Sequence, residues 1–187
     1  MPTHDHPLRL FRHCPVCGSE RFAADSVKSK QCAACGFTFF ANPAAATAAF
    51  IVSAGGRLLV ARRAKEPARG TLDLPGGFAD IGESAEQAML REIAEETGLC
   101  LTQPHYLFSL PNRYPFSGLT VHTLDLFFRF DVPDGLQPHA ADDAADLVWL
   151  PLDELRPDDF GLDSIRQGVA RFIGLSMAQK QQIHGLQ

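Results

Sequence analysis

The stretch from residue 77 to residue 99, GFADIGESAEQAMLREIAEETGL, constrains the fold most strongly because it contains a helix with both ends marked. Ser84 and Gln87 have the spacing of a capping box, in which each side chain bonds the backbone amide of the other residue. Gly98 stands where a helix ends on a residue of left-handed conformation. The spacing therefore predicts a helix from about Ala85 to Thr97.

This helix has an apolar stripe and an acidic face. The residues of the stripe recur at helical spacing and predict the buried side, namely Ala85, Met89, Leu90, Ile93 and Ala94. Glu92, Glu95 and Glu96 stand at i, i+3 and i+4 on another face, where like charges destabilise by roughly 0.2–0.5 kcal/mol per pair. A divalent cation relieves that repulsion, and carboxylate oxygens suit hard Mg²⁺ or Mn²⁺. A solvated acidic face without a metal is the alternative.

The composition is that of a soluble globular chain, with 187 residues, 45% hydrophobic content and room for one core and a small appendage. A net charge of −5 argues against a general binder of nucleic acids or anionic membranes. The N-terminus has no apolar signal region, and the longest apolar run, residues 44 to 54, is too short to span a bilayer. We therefore expect a cytoplasmic protein without a membrane partner.

Four of the five cysteines form two C-x-x-C-G knuckles separated by fourteen residues, Cys14 with Cys17 and Cys32 with Cys35. This is the spacing of a tetrahedral Zn²⁺ site, and disulfide or redox pairs are the alternatives. Zinc can hold together residues 11 to 41, which are too few for an adequate core.

The charges around the knuckles decide which partner is expected. Between and beside the knuckles, Glu20 and Asp25 nearly offset Arg21, Lys28 and Lys30. A structural or dimerising role is therefore favoured over a nucleic-acid contact, so a homodimer is a prediction. Residues 1 to 10, with His4 and His6 beside prolines, are predicted to form a flexible tail.

A sheet is predicted to start after Asn42–Pro43. Residues 44 to 52 indicate a buried strand, Gly55–Gly56 a two-residue hairpin turn, and residues 57 to 63 the returning strand. Four basic residues cluster from the end of this strand onward, and they either lie in a solvated loop or contact phosphate: Arg62, Arg63, Lys65 and Arg69. Gly76 and Gly77 allow the backbone to approach a metal or a phosphate closely.

Residues 100–108 and 119–130 predict two further strands. In the second, alternation turns one set of side chains mostly inward, namely His122, Leu124, Leu126, Phe128 and Phe130, and places Thr123, Asp125 and Arg129 on the other face. We thus expect His122 to be a core histidine, Asp125 a solvated or sheet-paired acid and a weaker site candidate, and Cys100 a small buried hydrophobe. A last strand at residues 148–150, a short helix at 151–155 and an amphipathic helix at 162–175 complete the prediction.

Nine residues of the first stretch fit the Nudix box G-x(5)-E-x(7)-R-E-U-x-E-E-x-G-U, in which U is aliphatic: Gly77, Glu83, Arg91, Glu92, Ile93, Glu95, Glu96, Gly98 and Leu99. The chain therefore resembles the Nudix hydrolases. With its four-cysteine ribbon it is similar to the NADH pyrophosphatases and related zinc-ribbon Nudix proteins. The resemblance implies an α/β fold, with an α/β/α sandwich around a mixed sheet. The Nudix domain would span residues 42–176, after the zinc ribbon at 11–41 and before a C-terminal tail at 177–187.

The resemblance also implies a chemistry, the hydrolysis of a nucleoside diphosphate linked to another moiety, with Mg²⁺ or Mn²⁺ polarising the pyrophosphate and activating water. By motif position, the metal is held by the Gly76 carbonyl, Glu92, Glu95 and Glu96, while Glu83 and Arg91 brace the glutamates. Family members commonly bring another carboxylate from the loop before the last strand, here Asp142, Asp143 or Asp146. Asp146 fits best, as general base or metal support, and a solvated acidic loop is the alternative.

The substrate stretch of the NADH pyrophosphatases, SQPWPFPxS, corresponds to residues 109–117 here, SLPNRYPFS. Leu110 and Asn112 replace its glutamine and tryptophan, which leaves ADP-ribose, FAD or another dinucleotide open beside NADH. The remaining side chains are expected to stack on a base and to pair with phosphate or ribose, namely Arg113, Tyr114 and Phe116. Cleavage would release AMP. A non-catalytic dinucleotide sensor that uses its ribbon for interactions is the alternative function.

Overall fold

The computed structural model describes residues 6–140 and 144–184, and it describes side chains for residues 6–140 and 146–175. Near its N-terminus, three short antiparallel strands form a small sheet. They are β1 (Phe22–Ala24), β2 (Ser29–Cys32) and β3 (Thr38–Phe40). Cys14, Phe22 and Cys32 are buried together beside them. Residues 7 to 10 of the predicted tail form a turn, in which Leu8 is only 4% exposed.

The chain divides into two compact units. Unit 1 comprises Met1–Ala44 and Arg113–Thr123, and unit 2 comprises Ala45–Asn112 and Leu124–Gln187. The small sheet therefore belongs to unit 1 together with a much later stretch of chain. That stretch contains the tip of a long hairpin, in which β7 (His105–Phe116) and β8 (Leu119–Val132) are joined at residues 117–118.

The larger sheet has six strands. The hairpin is joined by β4 (Ala44–Ser53), β5 (Arg57–Arg63) and β6 (Leu72–Asp73) in the order β6-β5-β4-β8-β7. The last strand, β9 (Ala144–Pro151), pairs antiparallel with β5. Helix α1 (Ala85–Thr97) follows β6, and α2 (Asp163–His184) follows β9 after a 3-10 turn at Pro157–Asp159. Within the described ranges, no helix has the length and apolarity needed to cross a membrane.

Both faces of this sheet are covered by a helix, which explains the continuous apolar runs of its central strands. Successive residues of a strand point to opposite faces. One face packs with Val169 and Phe172 of α2 and includes Phe50, Leu58 and Val60. The other face packs with Met89 and Ile93 of α1 and includes Ala49, Ile51 and Leu59. The predicted α/β/α sandwich is therefore confirmed.

Helix α1 has the predicted bounds and both predicted end signals. The Gln87 N–H donates to Ser84 Oγ at 3.3 Å, and the Ser84 N–H donates to Gln87 Oε1 at 2.8 Å, while Gly98 has a φ of 69°. The predicted apolar stripe is partly wrong because Ala94 is exposed, whereas Ala88 and Thr97 are buried. The buried stripe follows intervals of four residues through Met89, Ile93 and Thr97, which leaves Ala94 at its edge.

The hairpin corrects several predictions for residues 100 to 130. Strand β7 begins at His105 rather than at residue 100, and it continues past its predicted end at residue 108, through the proline-containing substrate stretch, to Phe116. Cys100 is exposed and is not a buried hydrophobe. Burial does not alternate along β8 because both faces of the sheet are covered, so Phe127 and Phe128 are both buried. Leu124, predicted to point inward, is exposed.

The prediction for His122 is wrong, whereas of the two alternatives for Asp125 the sheet-paired one is confirmed, because Asn112 lies on the neighbouring strand β7. His122 is half-buried and lines a surface cleft of unit 1, so it is not a core histidine. Asp125 is 5% exposed and therefore not solvated. Its carboxylate accepts hydrogen bonds from Asn112 Nδ2 at 3.1 Å and from the Ser164 hydroxyl. These donors offset the loss of water that burial of a carboxylate entails.

Two connections differ from their predicted form. The β4–β5 turn has three residues, 54 to 56, and is closed by the Gly56 N–H bond to the Ser53 carbonyl at 2.9 Å. The predicted helix at residues 151–155 is wrong: Pro151 ends β9, and residues 152–154 form a turn in which the Leu152 N–H donates to the Gly56 carbonyl at 3.0 Å. Helix α2 begins at Asp163 and extends to His184, beyond the predicted end at Leu175.

Candidate active site and metal centre

The loop that precedes the Nudix-like motif is fixed closely against β4. The Thr47 N–H donates to the Gly77 carbonyl at 2.8 Å, and the Ala49 N–H donates to the Pro75 carbonyl at 2.9 Å. Gly76 has a φ of 150°, and a Cβ there would lie 2.1 Å from the Thr47 carbonyl oxygen. Only glycine allows this approach of two backbones.

The same loop contacts the acidic face of α1. The Gly76 N–H donates to Glu96 Oε2 at 2.9 Å. A Cβ on Gly77 would lie 2.6 Å from the carboxylate carbon of Glu92. The two glycines therefore bring a strip of backbone, with its carbonyl oxygens, against two of the three glutamates.

Arg91 organises the rest of this region with five guanidinium hydrogen bonds. Nε and Nη2 donate to the two carboxylate oxygens of Glu83 at 2.8 and 2.9 Å. Nη1 donates to Glu92 Oε1 at 2.8 Å and to Glu95 Oε2 at 3.0 Å. Nη2 also donates to the Phe78 carbonyl at 3.0 Å. We call this arrangement the Arg91 clamp, and it joins the loop before α1 to the acidic face of the helix.

The clamp perturbs the ionisation of its acids in opposite directions. Hydrogen bonds from Arg91 and from the Asp80 N–H lower the pKa of Glu83 to about 2. Burial raises the pKa of Glu92 above its ordinary value, although hydrogen bonds from Arg91 oppose that shift. Hydrogen bonds to Glu83 and Glu92 raise the pKa of Arg91, so the guanidinium stays charged. Glu83 thus stays ionised, while Glu92 takes up a proton more readily than an exposed glutamate.

The donor set fits a hard divalent cation, since it consists of carboxylate and carbonyl oxygens. The structure brings Glu92 and Glu95 together at Arg91 and brings Glu96 to Gly76. It does not gather the three carboxylates into one cluster. In the part of the chain with described side chains, three or more His, Cys, Asp or Glu ligand atoms converge to within 4.8 Å only at the four cysteines.

Asp146 and Arg62 lie opposite each other in the larger sheet. Asp146 is inside β9, not in the loop before it, because β9 pairs with β5 along its whole length. Both side chains are exposed, and Arg62 Nη1 donates to the Gly70 carbonyl at 2.7 Å. The other two candidate acids, Asp142 and Asp143, lie outside the described residues.

The candidate substrate residues on β7 lie in unit 1, whereas the residues of the Nudix-like motif lie in unit 2. Arg113 lines the surface cleft of unit 1, Tyr114 is half-buried, and Phe116 is 64% exposed. Since neighbouring strand residues point to opposite faces, Arg113 is on the opposite face of β7 from Tyr114 and Phe116. The three side chains therefore do not line one wall. A loop in place of the strand could have turned all three to the same side.

The four cysteines form a candidate metal centre in unit 1. The Sγ atoms of Cys14 and Cys35 are 3.7 Å apart, and those of Cys17 and Cys32 are 3.6 Å apart. All four lie within 4.8 Å of one another, so together they can hold one metal ion. Tetrahedral ligands with metal–sulfur bonds of about 2.3 Å are separated by about 3.8 Å, close to these values.

The two knuckles have matching backbones and unequal thiols. The Gly18 N–H donates to the Cys14 carbonyl and the Gly36 N–H to the Cys32 carbonyl, both at 2.9 Å. Burial raises the pKa of Cys32, but backbone N–H groups of Cys35 and Ala34 outweigh it and hold this pKa near 6. The Phe37 backbone lowers the pKa of Cys35, but neighbouring thiols and burial raise it to about 12. The group thus deprotonates unevenly without a cation.

Some polar contacts of the site could not be anticipated from local patterns. The Phe78 carbonyl and the Asp80 N–H complete the bonding of the Arg91 clamp. Asp73 forms a half-buried ion pair with Arg63, and burial raises the pKa of Asp73 while Arg63 opposes the shift. Only the strand register, with Ala61 opposite Asp73, brings this pair together.

Comparisons with known proteins place this geometry in context. The sequence model of the NUDIX domain matches residues 42–172. The chain is 34% identical over 121 residues to the ADP-ribose pyrophosphatase of Methanocaldococcus jannaschii, covering 64% of this chain and 68% of that protein. It is 30% identical over 149 residues to the NAD-capped RNA hydrolase NudC of Pseudomonas aeruginosa, covering 80% of this chain and 51% of that protein. The chain thus spans about half the length of that relative.

A solved structure supports the fold. The NUDIX hydrolase from Nitrosomonas europaea aligns with 87% of this chain and 90% of its own, at a TM-score of 0.64 and 20% sequence identity. At this identity the likeness applies to the fold alone.

Proposed function

Because the chain belongs to the Nudix hydrolase family, we propose that it cleaves the pyrophosphate bond of a nucleoside diphosphate derivative with the help of a divalent metal. The substrate class is a dinucleotide such as NADH or ADP-ribose, and AMP is one product. Two relatives are named for related substrates, ADP-ribose and NAD-capped RNA. The observation that carries the proposal is the Arg91 clamp, which orders two of the three glutamates against a glycine loop.

The metal ligands are the Gly76 carbonyl, Glu92, Glu95 and Glu96. When bound, Mg²⁺ or Mn²⁺ supplies positive charge to the pyrophosphate oxygens and makes a bound water more acidic. Arg91 holds the side chains of Glu92 and Glu95 through Nη1, and Glu83 in turn accepts hydrogen bonds from Nε and Nη2 on the other edge of the guanidinium. The exposed carboxylate of Asp146 accepts the proton of the attacking water.

The substrate contacts come from side chains of different chemistry. Arg62 in unit 2 and Arg113 in unit 1 are each suited to bind phosphate oxygens, because a guanidinium fork matches the geometry of a phosphate group. The exposed ring of Phe116 and the half-buried ring of Tyr114 stack on planar groups of the dinucleotide. Recognition by stacking and phosphate contacts tolerates several dinucleotides.

The cysteine centre holds zinc with a structural role. The proposal is supported by the sulfur separations of 3.6 and 3.7 Å and by the lack of a large core in the strands around it. Thiolate ligands of this kind also favour a reducing compartment, in agreement with the expected cytoplasmic location.

The proposal is tested by measuring kcat/KM with Mg²⁺ or Mn²⁺ on NADH, NAD⁺, ADP-ribose, FAD, diadenosine polyphosphates and nucleoside triphosphates. We expect ADP-ribose or NADH to be the best substrate, AMP to be released, and triphosphates to be poor. A triphosphate as the best substrate would contradict the assigned class. Binding without turnover across the panel would support the dinucleotide-sensor alternative.

Glu96→Gln tests the metal site within the same assay. The amide keeps an oxygen that can accept the Gly76 N–H bond, so the fold should be retained. Loss of one anionic ligand should lower kcat by about 100-fold or more. Glu86→Gln, an exposed glutamate in the first turn of α1, is the matched control and should keep normal turnover. Near-normal turnover of Glu96→Gln would refute its role.

A further inference from the structure

Unit 1 contains a surface cleft of about 300 Å³ that none of the residues of the Nudix-like motif enters. It is lined by Pro7, Arg9, Arg113, Pro115, Thr120 and His122. These residues come from two distant stretches, the N-terminal turn and the tip of the β7–β8 hairpin. A volume of about 300 Å³ is at the lower end of the range for small-molecule pockets.

The polar groups of the cleft are suited to an anion. Two guanidinium groups, a hydroxyl and an imidazole face it, and none of its lining residues carries a carboxylate. Two guanidinium forks offer more N–H donors than the two oxygens of a carboxylate can use. A phosphate group presents three or four oxygens and matches the fork geometry of arginine. The chemistry of the cleft therefore favours phosphate.

Arg9 is held in place by its own turn. The Arg9 N–H donates to the His6 carbonyl at 2.9 Å, and Leu8, next to it, is buried. The His6 imidazole is 3.0 Å from the Ser26 carbonyl, which fixes the turn to the rest of unit 1. Arg9 Nη2 is 3.4 Å from the Gly118 carbonyl, a long separation for a hydrogen bond, so this contact engages the guanidinium only weakly.

The charge of the chain is distributed unevenly between the units. Unit 1 has six Lys and Arg against three Asp and Glu, a net charge of +3, so the remaining eleven basic and nineteen acidic residues give unit 2 a charge of −8. An anion is attracted to unit 1 although the chain as a whole is acidic.

We propose that this cleft, the arginine cleft, binds the phosphate group of a phosphorylated ligand between Arg9 and Arg113. Thr120 and His122 contribute further hydrogen bonds. The phosphate belongs either to the dinucleotide substrate or to a separate phosphorylated small molecule. The inference rests on the proposed function only in the first of these cases, since binding in the cleft requires no turnover.

The test titrates inorganic phosphate into the ¹⁵N-labelled full chain, with its cysteine metal retained and no other divalent ion added. We expect saturable shifts at the amides of Arg9, Thr120 and His122. Arg9→Ala and Arg113→Ala should each weaken binding by about tenfold or more, as expected for loss of a charged hydrogen-bond donor. Arg12→Ala is the matched control, because it removes the same charge from unit 1 without touching the cleft and should change affinity less than twofold.

Two results would overturn the proposal. One is the lack of saturable shifts at these amides in the wild-type chain. The other is wild-type affinity in both cleft variants while their spectra show a folded unit 1. Because the measurement is made without catalysis, it remains informative even if no dinucleotide is hydrolysed.

The source of the phosphate is identified by competition in the Glu96→Gln background. If ADP-ribose displaces inorganic phosphate from the cleft, the site belongs to the dinucleotide substrate. If ADP-ribose leaves the phosphate-dependent shifts unchanged, the natural ligand is a separate phosphorylated molecule. Both results support the arginine cleft, and they differ only in what occupies it.

Discussion

Arg91 uses all five guanidinium N–H groups, on two oxygens of Glu83, one each of Glu92 and Glu95, and the Phe78 carbonyl. No other side chain has five donors in a rigid planar fork. The residue therefore neutralises acids that would otherwise repel one another on α1, and it also fixes the loop that precedes the helix. The sequence predicted that Arg91 braces the glutamates. It did not predict that the Phe78 carbonyl accepts the fifth hydrogen bond of the guanidinium.

Arg91→Lys keeps the charge and removes the fork. We expect the free energy of unfolding to fall by about 1–3 kcal/mol, because several charged hydrogen bonds are lost. The value of kcat should fall by about 10- to 100-fold, as for other residues that hold metal ligands in position. Chemical denaturation and steady-state kinetics measure the two effects.

The control for Arg91→Lys is Arg129→Lys. The Arg129 side chain is similarly exposed, 28% against 25%, and its guanidinium bonds the Asp131 carboxylate outside the site. It should change stability by about 1 kcal/mol or less, because it weakens one partly exposed ion pair and a cation–π contact with Phe172, and it should leave turnover unchanged. Equal effects of both substitutions would show that the clamp has no special role.

The lowered pKa of Glu83 predicts how the stability of the fold depends on pH. Its pKa is lowered from 4.5 to about 2 by Arg91, so the ionised side chain stabilises the fold fully above the ordinary value. That stabilisation is lost as the pH falls from 4.5 through about 2. Glu83→Gln should therefore lower Tm at pH 7, and the difference from wild type should shrink over that acid range.

Melting curves from pH 7 down to pH 2 test this effect. The exposed Glu154, replaced by Gln, serves as the control and should alter Tm little at any pH. A Tm difference for Glu83→Gln that stays constant down to pH 2 would mean that the Arg91–Glu83 pair is not what stabilises the fold.

At the scale of elements, predictions succeeded where a local signal was sufficient. The capping box and Gly98 gave α1 its correct ends, and β5 appears at its predicted residues 57–63. The hairpin was misassigned because its prolines indicate a loop, yet β7 continues through Pro111 and Pro115. Proline is tolerated there because β7 is an edge strand in the order of the sheet. Edge position is a property of the assembled sheet and is not visible in the sequence.

The loop that contains Gly76 and Gly77 gives a prediction about how two elements contact each other. In Gly77→Ala the added Cβ would overlap the carboxylate of Glu92, a flexible side chain that can move away. We expect the fold to persist with a loss of less than about 2 kcal/mol, while kcat falls about tenfold or more because a metal ligand is displaced. Gly76→Ala should be far more destabilising, since its Cβ would overlap the backbone of β4.

Thermal melts and kinetics of both variants are compared with those of Gly174→Ala. No atom lies within 4 Å of a Cβ at Gly174, which is exposed on α2, so that substitution should preserve activity and slightly raise stability. Wild-type turnover in Gly77→Ala would show that the position of Glu92 does not depend on the loop.

At the scale of the whole molecule, the chain is a Nudix-family sandwich, as predicted, and the division into two units was not foreseen in full. The motif for the cysteine knuckles is local, so the sequence was sufficient to predict that the four thiols converge. The sequence did not reveal that Arg113 and His122 join Arg9 in one cleft, because more than a hundred residues separate them. The stretch around the knuckles appeared nearly neutral, whereas unit 1 has a net charge of +3, to which Arg113 of the distant stretch contributes one.

Removal of the cysteine metal should affect unit 1 as a whole. After treatment with a strong chelator, hydrogen exchange should increase in the strands of residues 22–40 and also at the hairpin tip, residues 113–123, which belongs to the same unit. Protection of α1 and of residues 126–132 should be retained. Structural metal sites couple binding to folding, so the loss should be large and reversed by added Zn²⁺.

Mass spectrometry of peptic fragments measures this pattern, and Cys14→Ser should reproduce it without a chelator. Arg12→Ala, which leaves all four thiols in place, is the control. An increase confined to residues 22–40 would contradict the grouping of the hairpin tip with the ribbon.

Unit 1 consists of two separated stretches, so the chain passes between the units three times, after residues 44, 112 and 123. For the gene this means that no single breakpoint separates them. A fusion or deletion at codon 44 would transfer the cysteine knuckles while leaving behind the codons for Arg113 and His122. A ribbon moved alone would therefore lack these residues of the arginine cleft, so the cleft depends on both coding segments.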